Sequence, residues 1–380
     1  MPTRRSILTM GAAGILVVGA GVAGARITHD IEPARAPWRE AGAGEDPRLR
    51  ALSYAILAPS PHNRQPWLVR LEGTDRLTLF ADLDRLLPTT DPFNRQVVIG
   101  LGAFLELLVQ AAAEDGRRAE IDLWPEGEPQ PTLDARPVAH VSLVPDAGVT
   151  RDPLFAHVLG RRTVRAPFGP EPVAAESLDA IAAAVRTVRF AWTDDRESGA
   201  RIADLSNRGW IVETGTERTH HESTKLTRIG ADEVIANPDG ISLHGPSMEA
   251  YHPAGVLTHA RYRRDDTMAF RGARSFYAGL IDTAAAWGWL STPDDARRAQ
   301  IRAGRDWVRL QLAATAAGIA IHPVSQVLQE FPEMRPLYDA FHDHVGLTAP
   351  ARVQGLFRFG HAAYPDPSPR WPLSSRLEAT

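Results

Sequence analysis

Ten residues, Ala58-Pro-Ser-Pro-His62-Asn63-Arg-Gln65-Pro-Trp67, form the most unusual local stretch of the chain. Prolines at 59, 61 and 66 exclude a helix and predict a rigid extended loop entering a strand. Such a loop presents Ser60, Asn63 and Gln65 as an uncharged set of donors and acceptors. That suits a heteroaromatic ligand with carbonyls and ring nitrogens, such as a flavin and its ribityl chain. A Pro-rich structural turn is the other reading. A second constellation, Gly160-Arg161-Arg162-Thr163-Val164-Arg165, puts three guanidinium groups and a hydroxyl within five residues. Guanidinium forks complement phosphate oxygens, although a bare arginine cluster also reads as a solvated basic face. A third basic element, Ser368-Pro-Arg370-Trp-Pro372, means little alone.

Other chemistries lack their residues. With no cysteine among 380 residues there is no disulfide, thiolate zinc site, iron–sulfur cluster, cysteine nucleophile or acylated anchor. His220-His221-Glu222 and His342-Asp-His344 lack the helical spacing and third ligand of a metal site, so no metal is expected. No G-x-S-x-G elbow exists, which argues against a hydrolase triad. Gly19-Ala-Gly21-Val-Ala-Gly24 matches a dinucleotide fingerprint, but Pro33 and Pro37 break the helix and strand it requires. A net charge of −4 gives no footprint for nucleic acid. Lys225 is the single lysine among 42 basic residues, a bias that fits a GC-rich bacterium.

The elements that must position these residues come next. Thr3-Arg4-Arg5-Ser6 precedes an uncharged, Gly-rich run from Ile7 to Ala25, the pattern of a twin-arginine export signal over residues 1–25. It implies passage through the twin-arginine translocase to the periplasm or extracytoplasmic space, with membrane contact only through that segment. Substrates of that route cross folded, which favours a non-covalent cofactor. Residues 26–46 read as a linker. Helix and strand signals then alternate: helices over Leu49–Leu57, Val97–Glu114 and Asp306–Ala317, and strands over Pro66–Leu71, Leu77–Ala81, Ala119–Trp124 and Ala139–Val144. Gly102 and Gly116 bracket one buried helix and Gly304 and Gly318 the other, each pair 14 apart and the two offset by 202. This suggests a tandem repeat of α+β halves, 47–150 and 151–380, packed as an intramolecular pseudo-dimer. Residues 219–275, polar and broken by Gly and Pro, are expected to form a lid insertion.

Together the three constellations resemble the nitroreductase superfamily, and their inverted order resembles its exported, tandem-duplicated, Acg-type FMN-binding branch. The resemblance spans roughly 46–375. It departs from the family pattern at Thr163, where Ser is usual, and at Pro167, which adds a residue before Phe168. It implies one FMN between nitroreductase-like halves. Pro59, Ser60, Asn63 and Gln65 would meet the isoalloxazine and ribityl. Arg161, Arg162, Thr163, Arg165 and Arg370 would meet the phosphate and ribityl, and Ser325 and Gln326 the flavin N5 edge. It further implies an FMN-dependent oxidoreductase passing hydride or electrons to a small acceptor, with NAD(P)H or a quinol as donor and no side-chain nucleophile. The alternative is a flavin-binding or storage protein without efficient turnover.

Overall fold

The computed structural model describes residues 30–378 apart from 253 and 266, so the expected export signal lies outside the described residues. The strands are β1 (Trp67–Glu72), β2 (Arg76–Ala81), β3 (Arg117–Leu123), β4 (Ala139–Pro145), β5 (Arg189–Thr193), β6 (Thr227–Ile229), β7 (Ile241–Leu243), β8 (Ala286–Thr292), β9 (Ala320–Pro323) and β10 (Arg352–Gly360). Two four-stranded antiparallel sheets hold eight of them, in the orders β1-β2-β4-β3 and β5-β8-β10-β9. Sequence pattern explains their surroundings. In β3, Ala119, Ile121 and Leu123 alternate with exposed Arg118, Glu120 and Asp122, giving one solvated face. β10 is buried at eight of nine positions and so lies covered on both faces.

The helices are α1 (Ala36–Glu40), α2 (Pro47–Ala55), α3 (Arg95–Glu114), α4 (Ala175–Ala182), α5 (Arg196–Gly215), α6 (Glu217–Lys225), α7 (Ala231–Ala236), α8 (Pro246–Tyr251), α9 (His259–Arg263), α10 (Met268–Ile281), α11 (Arg297–Ala316) and α12 (Arg335–His344). α3 joins β2 to β3 and α11 joins β8 to β9, so each sheet has its long helix at the same point in its strand order. α3 is apolar enough to cross a membrane by composition, but 89% of its apolar window is buried inside this protein. Its start is fixed by Asp91, whose carboxylate accepts the backbone N–H of Gln96 and Val97 at 3.1 and 3.0 Å.

Three expectations need correction. Residues 30–46 are not a bare linker: a 3-10 turn over Glu32–Arg35 and α1 bury Ile31, Ala34 and Trp38. Pro33 and Pro37 stand in the first turns, where a missing N–H costs nothing. The second long helix starts at Arg297, nine residues before Asp306. In its first half Arg298 and Arg302 stay exposed, but Arg297 is buried and donates to the carbonyls of Phe93 and Pro131 at 2.8 and 2.7 Å, and half-buried Arg305 pairs with Glu106 at 2.8 Å. Residues 219–275 are regular rather than irregular, holding α7–α9, the parallel ribbon β6–β7 and parts of α6 and α10.

Candidate functional site

The proline-bracketed loop is strained. His62, Asn63 and Gln65 carry φ of 46°, 53° and 52°, the left-handed region that few non-glycine residues occupy. Backbone is forced there by its own contacts: Ser60 Oγ accepts the N–H of Gln65 at 2.9 Å, and Ser60 O accepts that of Asn63 at 3.0 Å. Beneath it lies Gly100 of α3, where a Cβ would meet Ser60 Cβ at 3.4 Å, an ordinary contact. Trp67, wholly buried against Phe104 at 5.2 Å between centroids, anchors the far end. Burying that indole contributes roughly 2–3 kcal/mol.

Gln65 and Asn63 do their work within the protein. The Gln65 amide donates to Pro238 O at 2.8 Å and to Asn63 O at 3.2 Å, and accepts the N–H of Trp371 at 2.9 Å. Asn63 donates to Pro369 O at 3.0 Å and accepts Arg370 Nη1 at 2.6 Å. Loop, insertion and C-terminal segment are thereby stitched together. Asp239 completes the seam: its buried carboxylate takes Arg64 at 3.3 Å, Arg85 at 2.6 Å, Arg228 at 2.6 Å and Trp371 Nε1 at 3.3 Å. Those cations hold it below the usual carboxylate range against the opposing effect of burial. Glu222 adds a second clasp, accepting the N–H groups of Thr89 and Thr90, each at 2.8 Å.

Arg161 and Arg370 converge on the start of this loop. Arg161 donates to Leu57 O and to Gln311 Oε1, both at 3.1 Å. Arg370 donates to Ile56 O at 3.1 Å, Leu57 O at 3.0 Å and Ala58 O at 3.2 Å. Neither meets a carboxylate among the described residues. Arg161 Nε and Gln311 Nε2 are both buried without a partner. Burial, with Arg162 adjacent, presses Arg161 down to about 9, and burial with Arg161 and Arg162 lowers Arg370. Two buried guanidinium groups whose charge is unanswered can hold an anion; Arg161 Nε is the donor left free, since every nitrogen of Arg370 already donates within the protein. Arg162, half-buried, donates to Pro365 O at 3.1 Å and to Leu159 O at 2.8 Å.

The remaining candidates lie on the arginine segment and at the end of β9. Val164 N donates to Ile321 O at 3.0 Å, aligning the arginine segment with β9 and setting half-buried Thr163 and exposed Arg165 on either side. Burial and then Arg165 push the His62 imidazole down to about 4; burial, Arg358 and Arg165 also lower His322. Both imidazoles are therefore neutral at pH 7. His322 Nδ1 accepts Arg358 Nε at 2.9 Å, which puts the ring proton on Nε2. Tyr277 stands edge-on to His322 at 5.8 Å and donates to Gln326 Oε1 at 3.1 Å. Ser325 and Gln326 open the 3-10 turn after β9. Nearby, the buried carboxyl of Glu213 receives Ser223 Oγ at 3.3 Å and Gln329 Nε2 at 3.1 Å. Burial raises Glu213 to about 7.

A model of the nitroreductase family matches residues 158–361, which takes in Arg161–Arg165, Ser325, Gln326 and the whole second sheet. The chain belongs to the nitroreductase family. Among curated nitroreductase relatives, a Mycobacterium tuberculosis H37Rv protein provisionally named NAD(P)H nitroreductase acg is 32% identical over 326 residues, 77% of this chain and 94% of the relative. An uncharacterized protein of the same strain is 29% identical over 346 residues, 86% of this chain and 92% of its own length. Among solved structures, the FMN-dependent nitroreductase NfnB of Mycobacterium smegmatis in complex with NADPH is 18% identical, covering 58% of this chain and 95% of its own, with a TM-score of 0.35.

Sequence reasoning missed Gln311, Tyr277, His322, Glu213 and Trp38. Gln311 was detectable as a polar residue between Leu310 and Leu312 on a buried helix. The others carry no local signal, because their partners lie far away in sequence.

Proposed function

We propose that this nitroreductase-family chain is an FMN-dependent oxidoreductase of the exported, tandem-duplicated branch, holding one FMN between two halves. The observation that carries the proposal is the buried, unneutralised pair Arg161 and Arg370, converging on the loop that bears Ser60 and Asn63. An FMN phosphate supplies the charge that pair lacks and a partner for Arg161 Nε. Bound there, FMN would supply hydride or electron transfer at N5. The chain's own residues bind and orient it. Arg161, Arg162 and Arg370 take the phosphate, Pro59, Ser60, Asn63 and Thr163 flank ring and ribityl, and Arg165 faces the ring between His62 and His322. Ser325 and Gln326 meet the N5 edge. Gln65 acts one step back, fixing the loop.

The pseudo-dimer reading draws support from several correspondences. α3 and α11 are each 20 residues long and start 202 apart. Arg95 and Arg297, their first residues, are both buried, and each reaches into the other half: Arg95 to Leu328 O at 2.6 Å, Arg297 to Pro131 O at 2.7 Å. A single flavin fits the asymmetry of the pair, since Arg302 stands 202 residues after the Gly100 that lies beneath Ser60. The donor proposed first is NAD(P)H, after the name of the relatives, and the acceptor a small molecule. Export through the twin-arginine translocase, placing the enzyme in the periplasm or extracytoplasmic space, belongs to the same proposal.

A second reading, a flavin-storing protein with little turnover, is favoured by the insertion clasped onto the loop through Asp239 and Gln65. An absorbance spectrum of the purified chain offered FMN, followed by anaerobic NADH, NADPH or a reduced quinol, separates the two. Flavin bands that bleach support the reductase, and bands that persist with every donor support storage. Failure to bind FMN refutes both.

A further inference from the structure

We infer that Trp38 belongs to the anion end of this site, where its indole gathers three guanidinium groups without neutralising them. The inference rests on the FMN reading above and adds a residue from a segment whose composition suggests only a linker. Trp38 is 6% exposed. The guanidinium carbons of Arg162, Arg370 and Arg161 lie 5.0, 5.3 and 5.9 Å from its ring. Its segment is fixed to the C-terminal stretch by three bonds. Trp38 Nε1 donates to Ser368 O at 2.8 Å, Arg35 Nε to Pro367 O at 2.9 Å, and Arg370 N to Ala34 O at 2.8 Å.

The choice of an aromatic ring has a chemical consequence. A carboxylate in this position would hold the arginines as firmly but cancel their charge. The face of an indole attracts cations through its quadrupole and carries no net charge, so the cluster stays positive. Arg35, the neighbouring cation, is paired with Glu32 at 3.2 Å and Asp366 at 3.3 Å; Arg161 and Arg370 are not so paired. A cluster built this way has a vacant requirement for a compact, multiply charged anion, which in this setting is the phosphate monoester of FMN. Riboflavin, lacking the phosphate, makes no use of it.

The test compares FMN with riboflavin. Dissociation constants for both are measured by flavin fluorescence quenching on the native chain, on Trp38→Leu, and on chain carrying mono-, di- and trifluorinated tryptophan at position 38. Fluorination drains the ring's electron density and leaves its shape, so this series keeps the fold if Trp38→Leu does not. The expected result is an FMN Kd weakened on the order of tenfold in Trp38→Leu, rising stepwise with fluorine count, while the riboflavin Kd stays within about twofold. Equal losses for both flavins, or no loss for either, overturn the role of Trp38 and leave the FMN reading standing. A native chain that binds riboflavin as tightly as FMN, or binds neither, overturns the phosphate site itself and this inference with it.

Discussion

Gly102 of α3 and Gly304 of α11 lie against one another, and neither could carry a side chain. A Cβ on Gly102 would stand 2.2 Å from Ile301 O, and one on Gly304 would stand 2.0 Å from Ile99 O. The clash is reciprocal: Ile99 and Ile301 are separated by the same 202 residues as the two glycines. Two long helices meet here backbone to backbone, so the crossing fixes how closely α3 and α11 pack.

Gly102→Ala and Gly304→Ala are therefore each expected to lower stability by about 1–3 kcal/mol or more, through forced separation of α3 and α11. Because both substitutions push on the same crossing, the double variant should lose less than the sum. Urea denaturation of the three variants checks this. Strict additivity would show that the two glycines do not share one contact.

Removal of the anion-binding charge should empty the site before it unfolds the protein. Arg161→Ala is expected to reduce FMN occupancy on purification by tenfold or more, and Arg165→Ala to reduce it less, since Arg165 is exposed. The ratio of flavin absorbance to protein absorbance reads this directly. Full flavin in Arg161→Ala would sink the phosphate assignment, and full flavin in Arg165→Ala the placing of Arg165 at the ring.

Glu213 gives the fold a pH dependence with a definite sign. Its pKa is raised from 4.5 to about 7 by burial, with Glu222, Tyr262 and Tyr277 as the titratable groups facing it from α6, α9 and α10. The folded state holds the proton more tightly than the unfolded chain, so the contribution is complete below pH 4.5 and is lost as pH rises through 7. The loss amounts to roughly 3 kcal/mol. Glu213→Gln should therefore match the native chain near pH 4.5 and exceed it in stability at pH 8. Thermal melts at the two pH values test this, and a constant offset between them would count against the assignment.

Asp239 is expected to control the insertion. Asp239→Asn leaves Arg64, Arg85 and Arg228 without their shared carboxylate, a loss on the order of 3–5 kcal/mol for a buried cluster. The region between β5 and β8 should become a site of proteolytic nicking, and bound flavin should exchange faster. Unchanged nicking and exchange would show that Glu222 and Gln65 hold the insertion alone.

The sequence made the loop at Pro59–Trp67 legible because three prolines and three uncharged polar side chains leave few alternatives. The glycine brackets of α3 and α11 were legible for a similar reason: glycine at a crossing has no substitute. Less was readable where charge is buried. Arg297 and Arg305 made the first half of α11 look exposed, whereas their partners sit 204 and 199 residues away. Trp38 was hidden by composition, since two prolines that begin helical turns look the same in sequence as two that break them. The insertion looked irregular because its helices are short and held by polar contacts such as Glu233 with His259 at 2.9 Å, which no hydrophobic period announces.

Arg370 reaches back 313 residues to bond the carbonyl of Leu57. A ribosome working at roughly 5–20 residues per second delivers it some 15 to 60 s after that carbonyl emerges. For that interval the three carbonyls at 56–58 have no Arg370 to cap them, and the anion cluster lacks one of its members. If Arg370 holds the FMN phosphate as proposed, cofactor capture is a late event, and a chain terminated before Arg370 is expected to retain flavin poorly.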